Sequence, residues 1–352
     1  MNVSVIICCY NSSSRLPETL AHLACQKAPE GLDWEVLVID NASTDNTAKI
    51  AIACWPDDAP ASLRVIPEPK SGLSNDRKRG IYEAKYDIVS FVDDDNWVCE
   101  DWVRLVSETM TANPEVGACG GPSEAVCEIE PPEWFEEFKG CYAVVKQADA
   151  EGDVTKSRGW LWGAGLNFRK DALFNLYNNG FYSILIDRKG TSLTSGGDNE
   201  LCYAIIMTGW RLWYEPRLKI KHFIPKERLT KDYIMRWFEG AGKSKNKIEI
   251  YSAYLDNKMA LCLIKVPWYK LLYWNLLTLF RIKKMIGSNE DILNDLKLKA
   301  KYLYTKSAII ELLQLNIHYK SLRNSIYYSN WVSINNQEKH RVARDRTGDA
   351  RQ

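Results

Sequence analysis

The sequence predicts an α/β protein: a doubly wound, mostly parallel sheet with helices on both faces, followed by a C-terminal helical extension. Two observations carry this. Up to residue 93, short apolar runs unbroken by polar positions alternate with segments of helical spacing, the pattern of strands buried on both faces. Beyond residue 228, such runs give way to long stretches rich in Leu, Ile, Tyr and Lys that read as helix.

The elements follow in order. "VSVIICCY" (3–10) is a first strand, and "SRLPETLAHLACQ" (14–26) is a helix with Leu16, Leu20 and Leu23 on one face. "WEVLVID" (34–40) is a second strand. "STDNTAKIAIACW" (43–55) opens with cap-type residues, Asp45 the best placed, and continues as a helix. "SLRVIPE" (62–68) is a third strand, "GLSNDRKRGIYEAK" (72–85) a helix and "DIVSFVD" (87–93) a fourth strand. From about residue 115 the pattern is less regular. "PPEWFEEF" (131–138) is a short helix after two prolines, and Gly-rich loops at 159–165 and 194–198 each feed a helix. "RLWYEPRLKIKHFIP" (211–225) is strand-like. This gives three regions: a domain over 1–228, helices over 229–332, and a polar tail, 333–352, expected to be disordered.

Composition excludes several classes. The 352 residues suit one large domain with an appendage, and a net charge of +1 argues against a dedicated nucleic-acid binder. The ten cysteines include no C-x-x-C pair, and four scattered histidines make no zinc pattern. Cys8 and Cys9, inside an apolar strand, read as small core residues, and this usage suits a reducing compartment. The N-terminus has no basic n-region and reads as a strand rather than a signal peptide. The nearest approach to a membrane span, 261–284, is broken by Lys265, Pro267 and Lys270. The expected location is cytoplasmic, at the inner face of the cell membrane.

In doubly wound sheets ligands bind beyond the carboxyl ends of the strands. Tyr10 and Asn11 follow the first strand, Asp40 and Asn41 the second, and Asp93, Asp94 and Asp95 the fourth. Adjacent carboxylates at such an edge can hold a divalent cation, for which oxygen ligands are preferred. If the segment is extended, Asp93 and Asp95 face one site and Asp94 another. The alternative is a solvated acidic turn. Asp40 can be a turn residue or an acceptor for a base or ribose. Asp198, in "SGGDNEL", can be a helix N-cap or a general base, with Glu200 as the substitute. His222 is a structural histidine or a metal ligand.

"VSVIICCYN", "VLVIDNASTDNT", "GLSNDRKRG", "FVDDDNW", "GAGLNFRKDALF…NNGF" and "GGDNEL", in this order over 1–228, resemble glycosyltransferase family 2, which has the GT-A fold. The resemblance implies an inverting, metal-dependent transfer of a sugar from a nucleoside diphosphate sugar, UDP-linked, to an acceptor hydroxyl in polysaccharide or glycan assembly. It implies that Tyr10, Asn11 and Asp40 line the nucleoside pocket, with Arg77 near the diphosphate and Asp93 near the ribose. Asp95 would bind Mn2+ or Mg2+, His222 would be a further ligand, and Asp198 would be the base. Three segments depart from the family pattern. Cys8-Cys9-Tyr10-Asn11 replaces P-T-Y-N, Asp76-Arg77-Lys78 replaces A-R-N, and Gly197 precedes Asp198 where the family has Glu.

Residues 268–286 form a candidate helix with Lys270, Thr278, Arg281 and Lys284 on one face. It either packs on the core or lies against a membrane, which would suit a lipid-linked acceptor. Two other functions share parts of the pattern. A sugar-phosphate nucleotidyltransferase needs an early Gly-rich basic loop that "CCYNSSSR" does not provide, and a non-catalytic nucleotide-sugar binder has no use for Asp198.

Overall fold

The computed structural model describes residues 1–185, 187, 193–255, 266–287 and 295–332; the tail at 333–352 lies outside the described residues. The chain forms two compact units, one of residues 1–175 with 210–229, the other of 176–209 with 230 onward.

The first unit holds the sheets. Its strands are β1 (Val3–Cys9), β2 (Trp34–Asp40), β3 (Ser62–Pro67), β4 (Ile88–Phe91), β5 (Asn96–Val98), β6 (Val116–Gly120), β7 (Ser123–Cys127), β8 (Gly152–Asp153), β9 (Asn167–Arg169), β10 (Arg211–Tyr214) and β11 (Ile220–Ile224). Eight of these form one sheet in the order β3-β2-β1-β4-β9-β6-β10-β8. β1 runs parallel to β2 and β4, and β2 parallel to β3. β9 is inserted antiparallel between β4 and β6. The crossover from β1 outward to β3 and back to β4 is the doubly wound plan expected from the sequence. The stretch at 211–225 is not one strand: it splits at Pro216, β10 joining the large sheet and β11 a small sheet of order β5-β11-β7.

Helices α1 (Leu16–Ala24), α2 (Thr47–Cys54), α3 (Leu73–Glu83), α4 (Trp102–Ala112) and α5 (Phe135–Phe138) belong to this unit, and α6 (Lys170–Asn178) runs across its boundary. Leu16, Leu20 and Leu23 of α1 and Trp102, Val103, Val106 and Met110 of α4 share a core with Val3, Val5, Ile7 and Cys9 of β1. Each fully buried aliphatic side chain there contributes about 1.5–3 kcal/mol. Cys9 is the core residue expected, whereas Cys8, on the opposite face of the pleat, is only half-buried. The N-cap position of α2 falls to Asn46, not to Asp45 as expected; Asp45, one residue earlier, accepts the Thr47 N–H at 3.0 Å. Gly80 lets α3 lie close on β1: a Cβ there would come within 2.6 Å of Ile6 Cγ2.

The second unit is helical among its described residues: α7 (Gly197–Met207), α8 (Lys231–Leu255), α9 (Trp268–Gly287), α10 (Leu296–Leu315) and α11 (His318–Tyr327). α8 and α10 pack closely because α8 presents Gly242 to the Tyr304 carbonyl, where a Cβ would clash. Asn246, fully buried on α8, donates to the Ala308 carbonyl and to Glu311, both at 2.8 Å.

Candidate active site

The parallel run β3-β2-β1-β4 ends along one edge, and Cys9 sits opposite Asp40 in the ladder. Two loops are stitched together there. Asn11, at φ 49, donates its backbone N–H to Ser43 Oγ at 3.0 Å, and its side-chain oxygen accepts the Thr44 N–H at 2.8 Å. Asp40 Oδ1 accepts the Ser43 N–H at 3.3 Å. The side chain of Asn11 therefore fixes the loop, and the exposed Tyr10 ring beside it faces solvent.

Asn41, buried, does similar work on the other side. Its amide donates to the Glu68 and Lys70 carbonyls at 3.1 and 2.7 Å, and its oxygen accepts the Gly72 N–H at 2.8 Å. This sets the entrance of α3, the helix that carries Arg77. Asp76, at the position where the resembled family has Ala, is buried. Burial first, then the charges of Glu68 and Asp40, push its carboxyl up to about 8, against the pull of Arg77. Burial and the charges of Asp76, Asp93 and Asp94 push the Cys8 thiol up, again against Arg77.

The aspartate triplet is not extended. The Asn96 N–H closes a turn onto the Asp93 carbonyl at 3.0 Å. Strict alternation of sides therefore does not apply, and the carboxylates part by turn geometry. Asp94, nearly buried, pairs with Arg15 at 2.6 Å. Asp95, buried, pairs with Arg228 at 2.9 Å and lies 3.5 Å from His222 Nε2. Two guanidinium groups thus offset the mutual repulsion that the sequence leaves open.

His222 reaches Asp95 because β5 begins directly after the triplet and pairs antiparallel with β11, setting His222 opposite Asn96. The Phe223 N–H also donates to the Asp95 carbonyl at 2.8 Å. His222 Nδ1 is 2.8 Å from the Tyr142 carbonyl, which can only accept. Nδ1 therefore carries a proton, and Nε2 is the nitrogen that faces Asp95. The Tyr142 hydroxyl donates to the Arg228 carbonyl at 2.8 Å. One buried tyrosine thus positions both neighbours of Asp95.

This donor set fits a divalent cation. A carboxylate and an imidazole whose other nitrogen is held by a carbonyl form a common ligand arrangement. Among the described residues no three His, Cys, Asp or Glu side chains form a metal cluster. A cation here would draw its remaining ligands from water or from the phosphates of a bound nucleotide.

Asp198 lies in the second unit and is described there. It is not the N-cap of α7: Gly196 holds that position at φ 122, and Asp187 supplies the cap by accepting the Gly197 N–H at 2.8 Å. A Cβ at Gly197 would run into Asp187 Oδ2, so a side chain there would have to displace the capping carboxylate. Asp198 Oδ1 accepts the Asn199 N–H at 2.9 Å. Glu200 does not suit the substitute role. It is buried and accepts from Ser183 Oγ, from the Ile184 and Leu185 N–H groups and from the Tyr251 hydroxyl. Burial pushes it up to about 7, with those donors opposing.

Sequence reasoning missed Tyr142, Arg228, Asp187 and Arg15. Each acts through contacts far along the chain or from inside an irregular loop, so no local spacing marks it.

Doubly wound sheets bind ligands beyond the carboxyl ends of their strands, where this chain's acidic groups lie. Residues 4–168 match the family model described as "Glycosyl transferase family 2". The chain is 24% identical over 265 residues to a glucosyl-dolichyl phosphate glucuronosyltransferase of Haloferax volcanii, spanning 74% of this chain and 82% of that protein. Two solved structures share its fold. One is S. aureus TarS 1–349 in complex with UDP-GlcNAc, with a TM-score of 0.53 at 17% identity, over 99% of this chain and 92% of that one. The other is the mannosyltransferase PcManGT from Pyrobaculum calidifontis in complex with GDP-Man and Mn2+, with a TM-score of 0.50 at 16% identity, over 99% and 76%. The fold is GT-A.

Proposed function

We propose that the protein is an inverting glycosyltransferase that moves a sugar from a nucleoside diphosphate sugar to an acceptor hydroxyl in glycan or polysaccharide assembly. The observation that carries this reading is the Asp95–His222 pair at the strand-end edge, wired by Tyr142 and flanked by Arg228. Asp40, Asn11 and Tyr10 shape the nucleoside end, Asp93 serves the ribose, and Arg77 faces the diphosphate. Asp95 and His222 would hold Mn2+ or Mg2+, whose charge would stabilise the departing diphosphate. Arg228 adds a fixed positive charge beside it.

Asp198 takes the acceptor's hydroxyl proton as the oxygen attacks the anomeric carbon from the face opposite the diphosphate. The new carbon–oxygen bond forms as the bond to the diphosphate breaks, and the leaving group carries away the electron pair. Support for this role is its family motif and the fact that Asp187, not Asp198, caps α7. The Haloferax relative, which by its name acts on a glucosyl-dolichyl phosphate, supports a lipid-linked acceptor. We place the enzyme in the cytoplasm, at the inner face of the cell membrane, where such acceptors are reached.

A thermal-shift panel of UDP and GDP sugars with and without Mn2+ tests the donor class, because a ligand that binds only the native state raises Tm. Donor turnover with and without a lipid-phosphate acceptor tests the reaction. A donor shift with no transfer to any acceptor would leave a binding protein. Release of pyrophosphate from a sugar phosphate and a nucleoside triphosphate would point to a nucleotidyltransferase.

A further inference from the structure

The second unit fixes the rotation of α9 and leaves one face of it uncovered. Leu271, Asn275 and Ile282 are buried, and the helix packs on α10. Asn275 locks this face: its oxygen accepts from Lys245 of α8 at 3.0 Å, and its amide donates to the Leu271 carbonyl at 2.8 Å. At about 100° per residue, the opposite face carries Tyr269, Tyr273, Leu276 and Phe280. They are 58%, 59%, 47% and 67% exposed, and Trp274 and Leu277 beside them are also exposed. Large apolar side chains contiguous along one helix face are more than the scattered singles of an ordinary surface.

The sequence placed the cations of this helix on a face of their own. In the folded chain Lys270, Arg281, Lys283 and Lys284 are all exposed and rim the aromatic stripe, while Thr278 turns its hydroxyl back onto the Trp274 carbonyl. Residues 268–287 contain no Asp or Glu. A second copy of this face would bring the same positive charge against it. An anionic headgroup layer supplies the opposite charge, and Tyr and Trp are suited to the level between headgroup and acyl chain. No helix among the described residues is long and apolar enough to cross a membrane.

We propose that the Tyr269–Phe280 face of α9 docks on an anionic lipid surface, its aromatic stripe at the headgroup boundary and its cations against the lipid charge. This does not depend on which sugar is moved. The test is flotation of the full chain with phosphatidylcholine vesicles, with and without phosphatidylglycerol. The protein should float with phosphatidylglycerol at low salt, less at high salt, and not with phosphatidylcholine alone. Tyr273→Ser with Phe280→Ser should return flotation to background, and Lys270→Gln with Lys283→Gln should lower it, both with Tm unchanged. Absence of flotation at low salt, or flotation indifferent to the Tyr273/Phe280 pair, overturns the proposal. So does a concentration-dependent dimer that the same pair abolishes, which would make this face a self-interface.

Discussion

Replacing Asp198 by Asn separates a proton acceptor from a structural residue. The hydrogen bond at Asp198 Oδ1 comes from the Asn199 N–H at 2.9 Å, and an asparagine carbonyl can accept it as well. The cap of α7 comes from Asp187, which the substitution leaves in place. Asparagine matches aspartate in shape, so the variant should fold with Tm near wild type. Turnover should fall by about 10²- to 10⁴-fold, the usual contribution of a positioned base. Donor affinity should hold, because the base acts on the acceptor. The assay is kcat and donor Kd for Asp198→Asn, with Tm as control and Asp187→Asn alongside. Near-wild-type turnover in a folded Asp198→Asn protein would remove Asp198 from the chemistry, and the saturated, buried Glu200 could not take its place.

Other outcomes follow from the wiring of the first unit. Tyr142→Phe keeps the carbonyl on His222 and loses the hydroxyl bond to Arg228, so it should cost about 0.5–1.5 kcal/mol in denaturant melts and weaken Mn2+-dependent nucleotide binding by about tenfold; an unchanged affinity would make Tyr142 purely structural. Asp76 has a folded pKa of about 8 against an ordinary 3.8, so the folded state holds the proton more tightly. Its contribution to stability is full below about pH 4 and is lost as pH rises toward 8. Asp76→Asn should remove that loss, with variant and wild-type Tm diverging in the variant's favour as pH rises from about 4 to about 8; parallel curves would mean that the carboxyl ionises without penalty.

The alternation of apolar runs and helical segments made β1 to β4 and α1 to α3 legible, because parallel strands buried on both faces leave an unbroken apolar trace. The same logic placed Asp40 and the triplet at strand ends. What it could not give was the turn at 93–95, since three aspartates satisfy an extended or a turned backbone equally well. Nor could it give Tyr142, which reaches His222 through a carbonyl and Arg228 through a hydroxyl, or Arg228, which meets Asp95 only once β11 has paired with β5. Asp187 is hidden for the same reason: its capping role appears only when the loop before α7 folds back on Gly197. On α9, periodicity located the cations, but which face is covered depends on α8 and α10, long-range partners that the helix's own sequence does not name.

The central claim is that Asp95, with His222, is the cation-dependent anchor for a nucleoside diphosphate. Calorimetry of UDP and GDP binding, with and without Mn2+, to wild type and Asp95→Asn tests it most directly. The wild type should bind one of the two tightly only with Mn2+. Asp95→Asn, near in shape, gives up the charge that pairs with Arg228 and should lower Tm while staying folded; it should lose that dependence and bind at the metal-free level. An unchanged Mn2+-dependent affinity in folded Asp95→Asn would contradict the assignment.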